Sequence, residues 1–593
     1  MPTNNICFAD SLDVLKISSK EAVENIDSFS DFKEYMHVTR SVQNELISSI
    51  ERASKSNKSE LIMICGSVGD GKSHLLSYIK HNHRGLMDLF YLHNDASESL
   101  NPIKTSMDTL SEVLEPFSDE GLLKGGIAKV IVAINLGTLN NFIESKYKDQ
   151  FKQLRKFVID HKIIESDIIY YEYDEDSSYH YVNFSDYHMY ELTEKGPKSK
   201  YIEELLVKIV GNDEDNYFNN KYRSICGNCD FKTGCPINAN YEFLKIRSVR
   251  KGVINVLVKA MIKGKLIIST RDLLNLFNNI LTGGYSGKQI RAINGGTVNT
   301  EQILLKLETL LINNMFQSEQ KSHVLDELTK VDPVHETHID DEDKIIKYEL
   351  SNNVIKDLQD DIDELNWNYI EYMSMRFKEL LIKEEKVPMN KISSIKKLSF
   401  KTYKRFQQFN GKEESDHIYN RYMLDLYYSN IRAKRELKDI VKEVKEVLYK
   451  WDGSAISQAA RVISSKKHKS LGIYEKISIK PQLRDFVSLD KQELDRFITT
   501  IFLKFTRENR ENEVVLNIDY PLYRLIKNLS NGYIPTEEDY SENINLQLFI
   551  EKLLNQGEEG EKELIFEDTT GTELCRYNLI YNSDFDEYEF KRL

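Results

Sequence analysis

Leu61-Ile62-Met63-Ile64-Cys65 is an unbroken apolar run, and Gly66-Ser67-Val68-Gly69-Asp70-Gly71-Lys72-Ser73 follows it without a spacer. A short apolar run closed by glycine reads as a buried strand entering a tight turn. His74 to Ile79 continues as a helix. Strand, glycine turn and helix in this order are the building unit of a parallel sheet covered by helices, so the chain is held to an α/β fold. The turn satisfies G-x-x-x-x-G-K-[ST] in full. Its glycines let backbone N–H groups point inward around a chain of phosphates. Lys72 is predicted to reach the β- and γ-phosphates, and the Ser73 hydroxyl to ligate Mg²⁺. The helix that starts near Lys72 adds its positive N-terminal end. Gly66, Ser67, Val68, Gly69, Asp70, Gly71, Lys72, Ser73 and His74 are therefore expected to line a site for ATP or GTP.

A chain of 593 residues exceeds one core, and about three or four domains follow from its length. The first 28 residues have no basic flank before an apolar stretch, so no secretory leader is expected, and no apolar run reaches membrane-spanning length. Six cysteines in so long a chain do not make a disulfide framework, which points to a reducing cytoplasm. The net charge of −14 excludes a uniformly basic, nucleic-acid-coating surface but leaves room for a local DNA track.

Along the chain, Val42, Leu46, Ile47 and Ile50 fall at helical spacing before the turn. Further strands are expected at Leu89–Leu92, Lys129–Asn135 and Tyr181–Phe184, with helices from Pro102 to Leu114 and from Phe142 to Val158. Apolar strands alternating with helices predict a parallel sheet covered on both faces. The boundaries read as a nucleotide-binding core over 1–210, a loop-rich cysteine insertion over 211–245 and a helical lid over 246–330. A helical domain over 331–475 and a small α+β domain over 476–593 follow. The fold class is thus an α/β P-loop NTPase core of AAA+/ASCE-like type, with a helical lid and a mainly helical C-terminal half.

Hydrolysis needs an acidic group at a strand end and a polar group to orient water. Asp95, after the second strand, and Asn135, after the third, are the candidates, acting with Lys72 as the catalytic set. Asp174, Glu175 and Asn183 are weaker positions, and each candidate could equally cap the next helix or turn. Arg271, opening a helix after Ser269-Thr270, could point from the lid to the phosphates or equally be a surface arginine.

Cys226, Cys229 and Cys235 stand within ten residues, a spacing suited to one soft cation, zinc or an iron–sulfur cluster. A fourth ligand is missing locally, and His180 or His188 could supply it. Otherwise the three are reduced thiols in a loop. Lys391, Lys396, Lys397, Lys401, Lys404 and Arg405, interleaved with Phe400, Tyr403 and Phe406, form one basic run; Arg461, Lys466, Lys467 and Lys469 form another. Such runs neutralise phosphates and stack bases, or simply form a solvated face. Glu589-Phe590-Lys591 lacks the frame of a nuclease site.

The Cys65–Ser73 segment with its G-D-G-K-S core, His93-Asn94-Asp95-Ala96-Ser97 before Pro102, Val132 to Asn141, and the Cys226/Cys229/Cys235-Pro236 cluster resemble the DptF family. That family is the F component of bacterial DNA phosphorothioation-dependent restriction systems. The resemblance covers about the first 280 residues. It implies an ATPase-type partner of other restriction subunits in antiviral defence, acting on DNA without the sulfur-modified backbone, with oligomers an option. It carries Gly66, Gly69, Gly71, Lys72 and Ser73 over to nucleotide binding. A nucleotide-gated scaffold with little turnover and a signalling P-loop protein are the competing readings.

Overall fold

The computed structural model describes residues 6–16, 29–67, 70–94, 96, 105–164, 173–295, 300–317, 322–336, 339–362, 369–370, 389–409, 416–451, 456, 458–462, 471–483, 489–557, 562–568, 575–582 and 585–593. The chain forms two compact units: 1–191 with 198–414, and 192–197 with 415–593. The division at 414/415 falls inside the 331–475 stretch that reads from sequence as one helical domain.

The first unit is built on a mixed α/β core. Four strands, β1 (Glu60–Cys65), β2 (Tyr91–His93), β3 (Lys129–Ile134) and β4 (Tyr179–Asn183), form an all-parallel sheet in the order β2-β3-β1-β4. β1 is central and buried at all six positions. Its alternate residues serve two cores. Leu61, Met63 and Cys65 join Val130, Val132 and Phe142 on one face. Ile62 and Ile64 join Leu46, Ile50 and Leu76 on the other. A strand apolar on both sides can only sit in such a doubly covered sheet, and here the expectation from sequence is met. Helices α1 (Phe8–Leu12), α2 (Ser41–Lys55) and α3 (Lys72–Asn82) come from the first 82 residues. The stretch expected as one helix from Phe142 is two, α4 (Leu136–Ile143) and α5 (Lys152–Asp160).

Beyond the sheet the unit is helical: α6 (Lys200–Val210), α7 (Tyr217–Cys226), α8 (Pro236–Leu244), α9 (Arg247–Lys263), α10 (Thr270–Thr282) and, later, α11 (Met389–Phe406). The cysteine insertion is therefore not loop-rich as expected; only Gly227–Cys235 separates two helices. Asn216 caps α7 by accepting from the backbone N–H groups of Phe218 and Asn219, and Pro236 opens α8 where a missing N–H costs nothing.

In the second unit, helices His417–Asn430, Lys438–Lys450 and Tyr520–Ser530 accompany two antiparallel sheets of three and five strands. Strands return at Ala459–Arg461 and Leu471–Lys476, earlier than the residues after Ser478 expected from sequence. Glu589, on the exposed C-terminal strand, pairs with Lys591.

Candidate functional site

The glycine turn leaves the C-terminal end of β1 and enters α3. Gly66 has no room for a side chain: a Cβ there would lie 2.8 Å from Asp70 Oδ2 and 2.9 Å from Phe184 Cβ. Gly71, at φ +90°, sits in the left-handed region that glycine adopts at no steric cost. Between them the turn is tied to itself. The Ser67 N–H donates to Asp70 Oδ2 at 2.5 Å, Lys72 Nζ donates to the Ser67 carbonyl at 2.6 Å, and Ser185 Oγ donates to Asp70 Oδ2 at 3.3 Å. Burial pushes the Asp70 carboxyl above the usual carboxylate range, against the hydrogen bond from Ser67 and the charge of Lys72. Val68 and Gly69 lie outside the described residues.

A cavity of about 410 Å³ opens beside the turn. Gly71, Lys72, Ser73, Asn94, Asn135 and Arg271 are among its lining residues. Val14, Leu15, Met36, Val38, Leu205 and Leu274 supply an apolar wall. In the sheet order β3 stands between β1 and β2, so Asn135 and Asn94 leave neighbouring strand ends toward one place. Ligands of open α/β sheets bind at such carboxyl ends. Asn135 has both roles weighed for it: it lines the cavity, and its Oδ1 caps α4 by accepting from the Thr138 N–H at 2.7 Å. Asn94 Oδ1 is buried without a hydrogen-bond partner among the described residues. Asp95 lies outside the described residues. Arg271 reaches the cavity from the first turn of α10, whose start is fixed by the reciprocal Ser269–Asp272 capping box.

Three contributors have no motif in the sequence. Arg40, just before α2, lines the cavity and donates to the carbonyls of Asp70 at 3.2 Å and Tyr187 at 3.0 Å, and so buttresses the turn. Its guanidinium lies 5.4 Å from the centroid of the Tyr201 ring, and the Tyr201 hydroxyl meets Thr270 Oγ1 at 2.7 Å. His37 stacks on Tyr78 at 3.6 Å, and its ring nitrogens lie 2.8 Å from Gln43 Oε1 and 3.2 Å from His74 Nε2. Burial lowers both His37 and His74 to about 4, so both rings are neutral at pH 7. A neutral His37 that gives its one proton to Gln43 accepts from His74. Only the placement of a basic residue before an amphipathic helix could have flagged Arg40.

Other candidates fall elsewhere. Asp174 caps its own turn through the Asp176 N–H, and the Glu175 carbonyl accepts from Lys58; both precede β4, at the sheet end opposite the glycine turn. Asn183 bonds Asp186 and the Ser185 N–H and does not line the cavity. His180 cannot complete a shell around the cysteines, because its Nε2 is bonded to buried Glu60 at 2.6 Å. His188 lies beside Tyr190 on a strand. On α11, Lys404 and Arg405 are buried in ion pairs with Asp341 and Asp332, both at 2.6 Å, and Phe406 packs near Phe243 and Tyr369. Those residues are core rather than a phosphate track, while Lys397 and Lys401 are exposed and Lys396 is held by the Glu349 carbonyl. Lys466, Lys467 and Lys469 lie outside the described residues.

Among the described residues no group of three or more His, Cys, Asp or Glu side chains is closed around a point where a metal ion would sit. No helix among them is long and apolar enough to cross a membrane. No protein-family model, no curated protein and no solved structure matches this chain.

Proposed function

We propose that the chain binds ATP with Mg²⁺ at a P-loop formed by Gly66–Ser73 and hydrolyses it, as the ATP-driven component of a phosphorothioation-dependent restriction complex acting on unmodified DNA. The observation that carries the nucleotide reading is one cavity uniting Lys72, Ser73, Asn94, Asn135 and Arg271 from four separate segments. The side-chain-free approach at Gly66 and the buried Asn94 Oδ1, without a hydrogen-bond partner among the described residues, fit a polar ligand in the cavity. Lys72 and the turn's N–H groups would hold phosphate oxygens, Ser73 the metal, and the apolar wall a base. Bound Mg²⁺ supplies charge neutralisation of the phosphates. Asn135 and Arg271 act on the γ-phosphate end from the sheet and from α10, so nucleotide links the two. The restriction assignment rests on the family resemblance, and DNA contact on α11 falls to Lys397 and Lys401.

Lys72→Ala tests this reading. Losing one charge-assisted contact costs about 2–3 kcal/mol, or roughly 30- to 150-fold in Kd, read by calorimetry with ATP and Mg²⁺. Unchanged affinity together with unchanged protection against phage in cells overturns it. A nucleotide-gated scaffold is favoured by one observation: no carboxylate from the described residues lines the cavity. Phosphate release stimulated by unmodified DNA eliminates that scaffold.

A further inference from the structure

We propose that Cys7, Cys226, Cys229 and Cys235 are the four ligands of a structural zinc ion that ties α1 to the α7–α8 hairpin. Three of these cysteines are neighbours in sequence; the fourth arrives from the start of the chain. Phe8, next to Cys7, packs edge-on against Tyr222 at 5.3 Å and Tyr241 at 4.9 Å, and those two rings are 4.4 Å apart. Tyr222 lies one helical turn before Cys226 on α7, and Tyr241 lies on α8, which Cys235 precedes. The aromatic trio therefore pins Cys7 at the end of the hairpin where the other thiols gather.

The thiols act on one another. Cys7 feels Cys235, and Cys226 feels Cys235, Cys7 and Cys229, after burial as the larger influence on each. The connecting segment is wound for convergence: the Cys229 N–H donates to the Cys226 carbonyl at 3.4 Å, the Lys232 N–H to the Cys229 carbonyl at 3.0 Å, and Gly234 takes φ +84° so that Cys235 turns back. The sulfurs also carry donors. The Ala9 N–H serves Cys7; the Ile237 and Asn238 N–H groups and the Asn294 side chain serve Cys235. Burial outweighs these donors and raises Cys7, Cys226 and Cys235 above the usual thiol range; the N–H groups still orient the sulfurs, as the outer shell of a thiolate metal site does. Buried cysteines that merely pack as small apolar groups need none of this. The set is not closed in the chain as described, so metal binding requires rotation of the thiols between staggered wells about Cα–Cβ. Four thiolates select a tetrahedral zinc.

The test uses the full chain purified without chelator and reads metal, independently of nucleotide. Elemental analysis is expected to give about one zinc per chain, with Co²⁺ substitution giving the thiolate charge-transfer and tetrahedral d–d bands of a four-sulfur site. Cys226→Ser loses the metal, and Cys7→Ser weakens Co²⁺ and Zn²⁺ binding by about tenfold or more. Cys7→His keeps one zinc with a shifted Co²⁺ spectrum, which separates ligation from a folding defect, and Cys575→Ser changes nothing. A wild-type chain that neither carries nor takes up zinc overturns the proposal. So does Cys7→Ser with an unchanged Co²⁺ spectrum and affinity, or iron with labile sulfide in place of zinc.

Discussion

His37 and His74 carry no charge where a phosphate site invites one. Their contact is between two neutral rings, His74 donating and His37 accepting, and protonating His37 removes the acceptor and breaks it. Both are lowered by burial from 6.5 to about 4. The folded chain therefore declines protons that the unfolded chain accepts between those values. Stability from this pair is complete above pH 6.5 and is lost as pH falls toward 4. Thermal melts from pH 7 to pH 5 are expected to show the midpoint falling, with a shallower fall in His37→Asn; equal slopes would count against the pair. The strand, glycine turn and helix around Gly66–Ser73 were legible because the apolar run and the glycine spacing encode that arrangement. Asn135 and Arg271 were legible because strand ends and helix starts are where polar groups reach ligands. Arg40, His37 and Tyr201 were not, because each acts from an element distant in sequence and is polar or aromatic for reasons a linear pattern does not hold.

At the scale of the element, α11 shows how a basic run can mislead. Its period brings Lys404 and Arg405 onto the buried face, where Asp332 and Asp341 compensate them; charge in sequence does not reveal which side of a helix faces water. Arg405→Ala leaves the Asp332 carboxylate buried and uncompensated, and is expected to cost about 3–5 kcal/mol in urea unfolding. Lys401→Ala, on the exposed face, is expected within about 0.5 kcal/mol of wild type. Equal effects would refute the assignment of faces. The α7–α8 hairpin was misread as loop in the opposite sense: Asn216 at the cap and Pro236 at the first helical position signalled both helices, but the cysteines and Gly227 and Gly234 between them dominated the composition.

For the whole molecule, the parallel sheet and its two apolar faces were readable because residues 61–65 of β1 and 130–134 of β3 are apolar at every buried position, while buried Glu60 at the start of β1 is paired with His180. The division into two units was missed, although the polar stretch Asn410-Gly411-Lys412-Glu413-Glu414-Ser415-Asp416 spans 414/415. The proposed ATP binding would act on the unit that contains the cavity. At about 100 times its Kd, ATP with Mg²⁺ should add about 2.7 kcal/mol to that unit's stability. Amide exchange should map slowed opening to Gly71–Leu75 and Thr270–Leu274. Slowing confined to residues 415–593 would place the nucleotide elsewhere.

The Asp70 carboxylate accepts the Ser67 N–H, one of the donors the turn would offer to an incoming ligand. The resting cradle thus already holds a placeholder anion of its own making. Arrival of a nucleotide is then a swap of one negative group for another, with Lys72 released from the Ser67 carbonyl in the same event. A ligand bearing a single weak charge gains little from such an exchange, whereas a polyphosphate outcompetes the tethered carboxylate at several donors at once. Under the proposed function, discrimination between a nucleoside monophosphate and a triphosphate would be built into the loop before any contact with the base.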